Sequence, residues 1–93
     1  MNYKKERDYV ATIKEIYPKI LKVFYDLFRE DPNAQHITEI FFKKVNETEP
    51  INAEDFGAAI NYMEEKGMIR LTRFIGGNWI GNIKAYGIEI IEE

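Results

Sequence analysis

Residues 56–69, FGAAINYMEEKGMI, restrict the fold more than any other part of the chain. Phe56, Ala59, Ile60 and Met63 recur at helical spacing and make one apolar face. Asn52 stands ahead of them as an N-cap, with Asp55 three residues on in a capping-box position. Gly67 ends the helix, because glycine takes the left-handed C-cap conformation without a Cβ penalty. Residues 68–75 and 79–84 are rich in strand formers and flank Gly76-Gly77-Asn78, so they read as a β-hairpin. Helix, glycine stop and hairpin follow one another with no linker, and the fold class expected is α+β.

Upstream, Tyr9, Ile13, Ile16, Tyr17, Ile20, Phe24, Leu27 and Phe28 also recur at helical spacing. Pro18 interrupts them, and a proline inside a helix removes a backbone bond and crowds the preceding turn. Two arrangements follow: one kinked helix, or a leading helix ending near Tyr17 and a second that opens at Pro18. We take a break or kink at Tyr17-Pro18 as the expectation. With it comes a division into an N-terminal helical extension, 1–17, and a domain over 18–93. Glu30-Asp31-Pro32-Asn33 is turn chemistry. Thr38 is placed to cap a short helix carrying Ile40, Phe41 and Val45. Residues 46–50 form a polar turn before Asn52. The closing GIEIIEE fits a helical turn, with Ile88 and Ile91 on one face, or a short strand.

Ninety-three residues allow one domain with a modest core. Hydrophobic residues at 45% and charged residues at 31% separate the chain from disordered ones. Cysteine and serine are both absent, which leaves no disulfide, no thiolate and no Ser-His-Asp arrangement. His36 is the one histidine, so a zinc site would rest on carboxylates. Glu64-Glu65 and Glu92-Glu93 are adjacent pairs, and adjacent side chains diverge on a helix. Gly76-Gly77 lacks the Gly-Lys-Ser/Thr ending of a phosphate loop. No catalytic residue, metal site or cofactor is expected. The N-terminus has no signal-like apolar stretch, and no apolar run approaches the roughly 20 residues of a membrane span. A soluble, cytoplasmic protein is expected.

The capped helix from Asn52, the phrase AINYMEEKGMI, the Gly-Gly hairpin and the closing IKAYGIEIIE resemble the winged helix-turn-helix superfamily. The resemblance spans roughly residues 18–93, and small members of the MarR or PadR kind are similar to it. It implies a three-helix core with a C-terminal hairpin wing, here with an additional N-terminal helix. It also implies a homodimeric regulator that binds double-stranded DNA. In such proteins the third helix enters the major groove and the wing touches phosphates or the minor groove.

The third helix here departs from that pattern. Its apolar face inward turns Glu54, Ala58, Asn61, Tyr62 and Glu65 outward, with no arginine or lysine among them. Phosphate neutralisation would have to come from elsewhere. Arg70, Arg73 and Lys84 on the hairpin are candidates, with no acid between residues 67 and 84, and so are Lys43 and Lys44. Asn61 and Tyr62 are the candidates for base edges. Trp79 beside the turn can stack on a base, line a partner surface or cover the core, and packing in a core or dimer is the expected use. The stripe of Tyr9, Ile13, Ile16 and Tyr17 is buried either on the flank of its own domain or against a second copy, and dimerisation is the expectation. The alternative reading is a protein-interaction domain that sets its acidic third helix against a basic partner.

Overall fold

The computed structural model describes residues 12–93. Its first helix, α1 (Ile13–Glu30), starts at a reciprocal cap. The Thr12 hydroxyl accepts from the Glu15 amide at 3.3 Å, and the Glu15 carboxylate accepts from the Thr12 amide at 2.9 Å. The helix then runs unbroken through Pro18. Of the expected break or kink at Tyr17-Pro18, the break is corrected, since residues 17 and 18 lie inside one continuous helix. Pro18 removes the bond its amide would donate to the Lys14 carbonyl and its ring crowds that carbonyl, together costing about 3 kcal/mol. Against that stand the cap, worth about 1 kcal/mol, and burial of Ile16, worth about 1.5–3 kcal/mol. Ile16, Ile20, Leu21, Phe24 and Leu27 form the buried stripe of α1.

A two-residue strand, β1 (His36–Ile37), leads into α2 (Thr38–Thr48). Ile37 occupies the cap position and Thr38 does not cap the helix. Instead the Thr38 hydroxyl accepts from the Trp79 amide at 2.9 Å and donates to the Trp79 carbonyl at 3.2 Å. The expected cap is corrected: tertiary pairing claims the hydroxyl before the helix can use it. Asn46 closes the turn after α2, donating to the Phe42 carbonyl at 2.8 Å and accepting from the Ile51 amide at 2.9 Å. The third helix, α3 (Ala53–Glu65), begins at Asn52, whose side chain accepts from the Asp55 amide at 2.7 Å.

Gly67, at φ +81°, ends α3. Its amide bonds the Glu64 carbonyl at 3.1 Å and the Met68 amide bonds the Met63 carbonyl at 2.9 Å, the paired bonds of a Schellman motif. Met63 and Met68 are both buried, which supplies the apolar contact such an ending favours. Strands β2 (Ile69–Arg73) and β3 (Trp79–Ile83) form the hairpin, one or two residues shorter at their ends than expected. The sheet is antiparallel, with β3 between β1 and β2. The chain closes with α4 (Ala85–Glu92), so the ending left open by the sequence is helical.

The described residues thus form four helices and one three-stranded antiparallel sheet around a single core. Trp79 sits in that core, only 5% exposed. Its ring lies 5.4 Å from that of Phe41 and 6.2 Å from that of Phe24, while Phe24 and Phe41 stack at 3.9 Å. No polar or charged residue among the described ones is buried. Tyr25 and Arg29 tie α1 to the end of α4, with the Tyr25 hydroxyl donating to Glu92 at 2.8 Å and accepting from Arg29 at 3.0 Å.

Candidate nucleic-acid interface

The outer face of α3 is open. Glu54, Ala58, Asn61 and Glu65 are exposed, as the pattern of apolar residues demands. Tyr62 is the exception. It is half-buried, its ring 5.2 Å from that of Tyr17, with the Lys66 ammonium 5.8 Å from its centroid. The residue assigned to a base edge therefore packs on its own chain. Asn61 is an exposed amide midway along α3.

Strand alternation sorts the hairpin cations. Ile69, Leu71 and Arg73 share one face of β2, opposite Ile83, Gly81 and Trp79 of β3. Arg70 lies on the other face, opposite Asn82, and Lys84 follows Ile83 onto that same outer side. Arg70 and Lys84 are exposed and form no ion pair among the described residues. Arg73 turns toward α3 and its guanidinium meets the Glu64 carboxylate. Glu64 reads in the sequence as one half of a surface pair with Glu65. The register that aims Arg73 at it is not visible there.

Lys43 and Lys44 are exposed on α2, away from buried Phe41 and Val45. Their place on a helix separate from the hairpin leaves the positive charge divided between two elements. His36 is half-buried, edge-on to the Phe41 ring at 6.1 Å. Among the described residues no group of three or more His, Cys, Asp or Glu side chains could hold a metal ion. No described helix is long and apolar enough to cross a membrane.

The residues assigned to dimer contact are largely engaged within the chain. Ile16 is in the core at 7% exposure and Tyr17 packs on Tyr62. Ile13 is half-buried at the start of α1. Tyr9 lies outside the described residues.

Comparison of the chain with models of protein families, with curated proteins and with solved structures found no match.

Proposed function

We propose that the chain is a winged helix that binds double-stranded DNA and serves as a transcriptional regulator, with its hairpin rather than its third helix supplying the positive charge. The observation that carries this reading is topological. A helix, a short strand, two helices and a hairpin follow in order, with the last strand in the middle of the sheet. That order leaves the outer face of α3 uncovered, and β2 packs against α3. Asn61 can pair with an adenine edge, while Arg70 and Lys84 take phosphates and Lys43 and Lys44 extend the contact. A homodimer is part of the reading, and Ile13 is the described residue of the stripe left to such a contact.

Binding to a mixed-sequence duplex, followed from low to moderate salt, tests it. Affinity should fall steeply with salt, by a slope of about 0.9 per phosphate neutralised. The double change Arg70→Glu, Lys84→Glu should abolish it. Absence of binding at low salt would sink the proposal.

A specific observation favours a second reading. Residues 38–66 carry Glu39, Glu47, Glu49, Glu54, Asp55, Glu64 and Glu65 against Lys43, Lys44 and Lys66. An acidic two-helix unit suits a basic protein surface, because opposite potentials steer association. Capture of a lysine-rich peptide that Glu54→Lys and Glu65→Lys weaken, together with no duplex binding, would select this reading.

A further inference from the structure

A cleft of about 370 Å³ opens between α2, α3 and the first residue of β3. Phe42, Phe56, Ile60 and Trp79 line it, with Gly57 on the α3 side. Of its two polar lining residues, Thr38 has its hydroxyl committed to the Trp79 backbone. The other, Glu39, is exposed, and its carboxylate has no hydrogen bond or ion pair among the described residues. The cleft thus presents aromatic and aliphatic walls and one unengaged anion.

Gly57 shapes the α3 side of the cleft. Glycine inside a helix costs about 0.5–1 kcal/mol relative to alanine. Here no local reason offsets that cost. Gly57 is not among the glycines with positive φ, and a Cβ built on it would meet nothing within 4 Å. Folding does not require glycine at this site, and the missing side chain leaves the helix backbone open to the cleft there.

We propose that the cleft binds a small organic amine, its aromatic or aliphatic body against Phe42, Phe56 and Trp79 and its ammonium on Glu39. Apolar walls take the body, and Glu39 supplies the one counter-charge. The volume falls in the range of small-molecule sites, roughly 300–1,000 Å³. This inference does not rest on DNA binding.

Trp79 is the only tryptophan, so its fluorescence reports occupancy directly. The probes are 2-phenylethylamine, the neutral 2-phenylethanol and the anionic 3-phenylpropanoate. The amine should give a saturable change, the alcohol should bind about fivefold more weakly, and the carboxylate weakest of all. Glu39→Gln should bring amine and alcohol to the same affinity. Gly57→Leu should block both while thermal unfolding verifies that the variant is folded; if it does not fold, Glu39→Gln decides. No saturation by about 10 mM amine would overturn the proposal. So would equal binding of amine and alcohol by the unmodified chain, or unchanged binding by folded Gly57→Leu.

Discussion

Arg73 on β2 and Glu64 on α3 form an ion pair that joins the hairpin to the helix beside it. Their side chains are 51% and 35% exposed, so solvent screens the pair and its net stabilisation is at most about 1 kcal/mol. Its larger consequence is electrostatic. One of the three hairpin cations faces a carboxylate instead of open solvent. Glu64→Gln should leave the melting temperature nearly unchanged and release Arg73. If Arg73 then reaches a phosphate, the salt dependence of duplex binding steepens by about 0.9 in slope. An unchanged slope would remove Arg73 from the interface.

Three glycines should respond to alanine in different directions. At Gly87 a Cβ would stand 2.4 Å from the Met68 carbonyl oxygen and 2.8 Å from Ile83 Cγ1. At Gly81 it would stand 2.9 Å from both the Phe24 and Trp79 rings. Overpacking of this kind costs about 1–3 kcal/mol, and Gly87→Ala should lie at the upper end because backbone cannot swing aside. Gly57→Ala meets nothing and should stabilise by about 0.5–1 kcal/mol. Urea denaturation of the three variants checks the signs.

Thr38→Val should destabilise by about 1–3 kcal/mol, because it leaves the Trp79 amide and carbonyl without their shared partner. Thr38→Ser keeps the hydroxyl and should recover most of the loss. Trp79 fluorescence offers a second readout, since the pairing holds that residue at the start of β3. Equal losses for Val and Ser would show that the methyl group, not the hydroxyl, matters.

Pro18→Ala should stabilise the chain by up to about 3 kcal/mol. The new amide can donate to the Lys14 carbonyl inside a helix that already runs through this position. A helix broken at residue 18 would gain far less. Chemical denaturation distinguishes the two.

Much of the fold was legible because local chemistry and tertiary packing agree. Asn52 caps α3, Gly67 ends it with a positive φ, and Gly76-Gly77 turn the hairpin at φ +101° and +95°. The Thr12–Glu15 box that starts α1 was not read from the sequence and emerged only with the structure. Pro18 did not break the helix because its penalty, a lost bond and a crowded carbonyl, is local, while burial along the whole of α1 outweighs it.

Of the candidate site, the open face of α3 and the basic character of the hairpin follow from residue order alone. Helical and strand periodicity dictate which side chains leave the core. Other assignments depended on neighbours distant in sequence. Tyr62 meets Tyr17, Arg73 meets Glu64, and the Thr38 hydroxyl bonds the backbone of Trp79. Residues 52–69 by themselves determined a capped amphipathic helix with an acidic outer face and a glycine stop. Only the tertiary structure decided which hairpin cation that helix neutralises and that a cleft opens beside Gly57. Strand register and helix packing set those distances, and no spacing within one segment encodes them.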